Sequence, residues 1–247
     1  MISRRRIVLG LLTYPLTPTH SQGEQSDTNE SFVELTYPPF RALTDPQGFG
    51  YREATEEQKR IARDIINGTK KGPRPIDIAE DLVGRFYQQN PNLISQWPAP
   101  AEWNPLIKEF FEVTSTPKNN DMTPWCAAFV NWCLERAGRI GSKSPSSQSF
   151  LSRYFKTVQK PRLGDLAIFT CYNKSTGKSV GLGHAAFFKE ELPDSRIIVV
   201  GGNQSKNGHS SIISEATFMT GDRDVYRTID GKHVLCTMRL NSFVRVV

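Results

Sequence analysis

Cys126 and Cys133 share the stretch TPWCAAFVNWCLERAG, Thr123 to Gly138, but only one of them stands where a thiol gains reactivity. Thr123 can cap a helix whose first position suits Pro124 and whose end suits Gly138. Cys126 then falls in the first turn, where unpaired backbone N–H groups and the positive end of the macrodipole favour a thiolate. Such a thiolate can attack an acyl carbon, and the same N–H groups can hold the oxyanion that forms. Cys133, two turns later on the same apolar stripe, lacks these advantages and reads as a small buried hydrophobe. Position alone leaves Cys126 between packing and chemistry.

A thiol nucleophile also needs a base, and the base an orienting group. The chain has four histidines. His20 lies near the N-terminus, His209 follows the turn-like SKNG, and His233 ends the hydrophilic DGKH. His184 differs, because it opens an apolar strand after the SVGLG loop, where a rigid scaffold presents a side chain at a site edge. If the next turn lies within EELPDS, cross-strand pairing puts Asn203 on the same sheet face as His184. The Asn203 amide oxygen could accept from one imidazole nitrogen and leave the other facing the thiol. Asn203 also reads as a turn residue using its side chain locally, and His209 competes for the third role. Gly201 and Gly202 let the backbone bend or a ligand approach closely. Cys, His and Asn in this order, on helices followed by a sheet, repeat the papain-like arrangement.

The elements that must hold these groups are legible from periodicity and punctuation. TEEQ offers Thr55 and Gln58 as a capping box for a helix that stops at Gly68. Pro75 opens a second helix on which Ile76, Ile78, Leu82 and Phe86 keep helical spacing. Asn104 to Val113 reads as a third, and SPSSQSFLSRYF as a short helix after the cysteine helix. The pattern then changes to short β-rich runs: Leu163 to Tyr172, Gly183 to Glu190, Arg196 to Gln204, SSIISEA, and the tail from His233. Helices first and a mostly antiparallel sheet afterwards define an α+β domain, 54–247, with the nucleophile helix packed on the sheet.

Residues 1–22 place Arg4 to Arg6 before the apolar Ile7 to Leu12, the order of a secretory signal of twin-arginine type, and so predict export to the periplasm or exterior. Residues 23–53 are polar, aperiodic and punctuated by Pro and Gly, as in an extended linker. No stretch approaches the ~20 apolar residues of a membrane span. The net charge of +6 suits a polyanionic partner such as a wall polymer. Lys and Arg are scattered beyond the N-terminus, so no nucleic-acid footprint is drawn. Four cysteines without CxxC spacing give neither a disulfide scaffold nor a zinc site, although Cys171 with Cys236 is a conceivable oxidised pair.

Four ordered stretches, TPWCAAFVNWCLERAG, PRLGDLAIF, GHAAFF and VVGGNQS, resemble the CHAP and NlpC/P60 superfamily of cysteine peptidases and amidases. The closest likeness is to a subgroup with a W-C-A-A-F-V helix and a G-G-N-Q element, and it covers roughly 121–214. The resemblance implies hydrolysis of amide bonds in peptidoglycan without metal or organic cofactor. It assigns Cys126 as nucleophile, His184 as base and Asn203 as orienter. Ala186 stands where the family often has Val. Asp121 matches an acidic position near the nucleophile in relatives, where it would position the helix start, bind substrate, or be an ordinary loop aspartate. Trp125, beside the thiol, would line a groove for sugar or peptide. The same fold also admits an acyltransferase or isopeptidase acting on proteins, an antibacterial toxin neutralised by an inhibitor protein, or a wall-binding module without catalysis.

Overall fold

A computed structural model describes residues 52–97, 103–118, 120–206, 209–230 and 232–246. The signal expected at 1–22 and the linker expected from 23 lie outside these residues, apart from the linker's last two positions.

Four α-helices come first among the described residues: α1 (Glu56–Gly68), α2 (Pro75–Phe86), α3 (Pro105–Phe111) and α4 (Cys126–Arg136). The capping box at Thr55 is present, with Thr55 Oγ1 accepting from Gln58 N–H at 3.2 Å and Gln58 Oε1 accepting from Thr55 N–H at 2.6 Å. Pro75 and Pro105 occupy the openings of α2 and α3, where a missing N–H costs nothing. Asn104 caps α3 by accepting from Leu106 N–H at 2.9 Å. SPSSQSFLSRYF yields a 3-10 turn, Ser147–Leu151.

Seven antiparallel strands follow: β1 (Lys156–Val158), β2 (Leu166–Asn173), β3 (Ser179–Leu192), β4 (Arg196–Lys206), β5 (His209–Met219), β6 (Arg223–Ile229) and β7 (Lys232–Arg245). They form one sheet in the order β1-β7-β2-β3-β4-β5, and β6 pairs with β7. The sequence reading missed β1 and β6. β1 has only three residues, and the charges of Arg223, Asp224 and Arg227 mask the apolar alternation of Val225 and Ile229 on β6.

The sheet is buried on both faces. Leu166, Ile168, Ala185, Phe187, Val200, Ile212 and Ile213 join the four helices in one core. Ala167, Phe169, Cys171, Ala186, Phe188, Val199 and Phe218 form a second core on the opposite face, against which Val225 and Ile229 pack. Successive residues of a strand point to opposite faces, so a strand between two cores reads as an unbroken apolar run, as β2 does. The α+β class with an antiparallel sheet therefore stands, and it is compatible with a papain-like fold. α4 is buried on all sides from Cys126 to Leu134 rather than along a single stripe.

Candidate active site

Thr123 does not cap α4. Trp125 occupies the N-cap position, with φ −118° and ψ 9° and no side-chain capping bond, so Cys126 is the first helical residue rather than the third. A large apolar anchor does the positioning instead. The Trp125 ring is fully buried among Phe110 and Phe129, and its Nε1–H donates to Ser211 Oγ at 2.9 Å. Ser211 Oγ in turn donates to Asn203 Oδ1 at 2.8 Å. A Cβ on Gly202 would overlap the Trp125 ring, so this glycine admits the indole rather than a ligand. Trp125 is thus a structural bolt between α4 and the β4–β5 hairpin, and full burial removes it from the groove expected of it.

The backbone N–H groups of Ala185, Ala127 and Cys126 itself, together with the Arg227 charge, favour the Cys126 thiolate. Ala185 is available because the described ladder between β3 and β4 ends at Phe187–Val200, leaving a gap into which the start of α4 fits. Burial nevertheless outweighs these donors and the nearby Arg227 charge, and it pushes the thiol above its ordinary pKa. The lowered pKa expected from helix position is corrected accordingly: at 3% exposure, lost hydration dominates the helix-start field. Cys133, also buried, is pushed well above the ordinary range by desolvation, with only Arg136 opposing. Cys171 and Cys236 are free buried thiols, not an oxidised pair.

His184 immediately precedes Ala185, so imidazole and thiol are set by adjacent residues of one strand. A Cβ on Gly183 would overlap Phe169 O and Gln148 Nε2, which makes Gly-His the sequence that lets β2 approach. Gln148 fixes that approach by donating to Phe169 O at 2.9 Å and accepting from Thr170 Oγ1 at 2.6 Å. The imidazole is 1% exposed, stacks on Phe218 at 5.5 Å and 10°, and has Nε2 3.3 Å from Gln204 Nε2. Burial lowers its pKa to about 3, with the Arg223 and Arg227 charges adding to the effect. Thiol and imidazole therefore rest neutral at pH 7.

The third position departs from the sequence reading. The expected register is present at Phe187–Val200, but β4 then bulges. Gly201 pairs with Ser214 and Gln204 with Ile212, so β4 spends three steps where β5 spends two, and Asn203 takes a left-handed φ of 60°. One extra residue reverses the alternation beyond it. Gln204 comes to the His184 face, while Asn203 turns to Ser211 on the helix side. Gln204 is fully buried, and its Oε1 accepts from Ser214 Oγ at 3.0 Å. Because the Ser214 hydroxyl can donate or accept, it fits either orientation of the amide. When Oε1 accepts from the Nε2–H of His184, Nδ1 is the unprotonated ring nitrogen. The Gly-Gly pair before Asn203 was the signal of an irregular backbone, but it does not reveal which way parity shifts.

Residues 117–203 match the CHAP domain family. CHAP domains are peptidoglycan-hydrolase-type amidases and peptidases that depend on cysteine and histidine. The CHAP match includes Cys126 and His184 and ends one residue before Gln204. Neither the curated proteins nor the solved structures searched gave a match.

Asp121, within the CHAP match, is buried, and Oδ2 accepts from Trp97 N–H at 3.1 Å and Asn104 N–H at 3.0 Å. Desolvation raises its carboxyl to about 6 despite these donors. It ties the approach to α4 onto the cap of α3. The side chain of His209 lies outside the described residues. His233 is exposed on β7, opposite Thr228 of β6.

Proposed function

We propose that this chain is a cysteine amidohydrolase cleaving amide bonds of peptidoglycan, with Cys126 as nucleophile, His184 as general base and Gln204 as orienting residue. The observation that carries the reading is the junction at β3: the Ala185 backbone favours the Cys126 thiolate, and its neighbour His184 has Nε2 3.3 Å from Gln204 Nε2. His184 takes the thiol proton as the sulfur adds to the amide carbonyl, so two neutral groups become charged only during reaction. The N–H groups of Cys126, Ala127 and Ala185 would stabilise the oxyanion. His184 then returns the proton to the leaving amine, and water, deprotonated by the same imidazole, releases the acyl group. Asn203 keeps a supporting part through the chain Asn203–Ser211–Trp125, which fixes the first turn of α4.

The CHAP match supports a wall substrate, and the basic-then-apolar order of residues 1–22 supports action outside the cytoplasm. Among the described residues no helix is long and apolar enough to cross a membrane. The test is digestion of purified peptidoglycan with mass spectrometry of the products. The wild type should release fragments with a new amine terminus, and Cys126→Ala should lose activity by roughly 10⁴-fold or more. Equal digestion by the variant would overturn the mechanism.

A further inference from the structure

A cavity of about 400 Å³ lies in the helical layer, between α1 and α3, and neither Cys126, His184 nor Gln204 lines it. Its walls follow from helical spacing. Lys59, Ala62 and Arg63 share one face of α1, and Pro105, Lys108 and Glu109 share one face of α3. Trp103 and Asn104 continue the α3 wall, and hydrogen bonds fix them in place. Trp103 N–H donates to Arg52 O at 3.3 Å, Asn104 N–H to Asp121 Oδ2 at 3.0 Å, and Asn104 Nδ2–H to Ser95 O at 2.7 Å.

The charged groups of this cavity differ from their neighbours. On α1, Lys59 is bound by Glu53 and Glu56, each at 2.9 Å, and Arg60 by Glu57 at 2.6 Å and Asp64 at 2.7 Å. Arg63 makes no such bond among the described residues, and on α3 the side chains of Lys108 and Glu109 make none either. Charges of both signs thus face one cavity without collapsing into pairs, as those on the rest of α1 do. Burial, with Glu112 adding, pushes the Glu109 carboxyl up from its ordinary pKa against the pull of Lys108 and Arg63. We propose that this cavity binds a zwitterionic amino-acid end group, apart from the catalytic centre. Its carboxylate would rest on Arg63 and Lys108, its ammonium on Glu109, and its aliphatic stem against Ala62, Trp103 and Pro105. The guanidinium fork can hold both carboxylate oxygens, and each contact is a charge-assisted hydrogen bond. A cavity of this volume stands at the small end of ligand sites, as one amino acid and its stem require. On a polymeric substrate the site would hold the protein at peptide ends, so the inference goes beyond the hydrolytic reading and does not depend on it.

The test is titration of the full chain with Nε-acetyl-lysine, followed by ligand-observed NMR. The wild type should bind it with a Kd of roughly 0.1–1 mM, and Arg63→Gln, Lys108→Gln and Glu109→Gln should each weaken binding about tenfold. Two analogues put the same question to the wild type, without reliance on the folding of a variant. Nε-acetyl-lysine amide lacks the carboxylate and the desamino analogue lacks the ammonium, so each should bind about tenfold more weakly. Equal binding of all three compounds, no binding of Nε-acetyl-lysine well above the expected Kd, or unchanged affinity in the variants would overturn the site. Cys126→Ala should bind as the wild type does; loss of binding there would move the ligand to the catalytic centre and overturn it too. Competition by Nε-(acetylalanyl)-lysine assigns the group to a peptide, whereas its exclusion while Nε-acetyl-lysine still binds assigns a free amino acid. Binding without peptidoglycan cleavage would sink the hydrolase reading and leave this site standing.

Discussion

From Phe187 to Leu192, β3 is laddered to Arg196 through Val200 of β4, whereas from Gly183 to Ala186 the same strand is free of that ladder and borders the start of α4. The closed half is ordinary sheet: Phe188, Ile197 and Val199 fill the second core, and regular alternation sorts side chains between the faces. In the open half three glycines stand where a Cβ would overlap a neighbour. Gly183 admits β2, Gly201 admits Ala186 and Gln204, and Gly202 admits Trp125. The chemistry-bearing groups sit in the half that gives up strand pairing. A vacated N–H and a bulge there aim groups that a regular ladder would have consumed or turned away.

The sharpest way to break this comparison is to separate the two neighbours at the bulge. Gln204→Ala should lower kcat by about 10²-fold with little change in KM, because a mis-oriented imidazole fails as a base. Asn203→Ala should leave kcat within a few-fold and cost about 1 kcal/mol of stability through the lost Ser211 bond. Gln204→Glu should restore turnover and move the acid limb of the pH–rate profile upward, since a carboxylate beside His184 raises its depressed pKa. Equal kcat losses at positions 203 and 204 would return the third role to Asn203.

A smaller effect is expected in the closed half. Ile197→Ala should remove about 2 kcal/mol of unfolding free energy, measured in urea, through a cavity in the second core. Its kcat should stay near wild type. A matching loss of kcat would mean that the two halves are mechanically coupled rather than distinct.

The mildest test concerns the resting charge of the open half. With His184 lowered to about 3 and Cys126 raised above its ordinary value, both groups are neutral across the physiological range. Iodoacetamide labelling of Cys126 should therefore rise about tenfold per pH unit from pH 6 to 8 as the small thiolate fraction grows. A flat rate over that interval would reveal a resting thiolate–imidazolium pair and contradict the desolvation argument.

Much of this site was legible in one dimension. The capping box at Thr55 was fixed by local signals: cap chemistry and helical spacing. The β3–β4 register at Phe187 was legible in the same way. Three features were not. The N-cap at Trp125 replaced that at Thr123, because burying an indole whose N–H finds Ser211 outweighs a hydroxyl cap. The thiol pKa rose instead of falling, because burial depends on what the rest of the chain packs over the sulfur.

The third feature, the exchange of Asn203 for Gln204, shows the division most plainly. Sequence by itself determined that an amide side chain after two glycines would lie across the hairpin from His184. Only the tertiary structure decided which amide, because one inserted residue reverses every later side chain of a strand. Whether that residue is inserted depends on how β5 and the Trp125 ring pack against Gly202. Local propensity sets the elements, but the parity of a strand is a non-local property, set by close contacts between residues far apart in the chain.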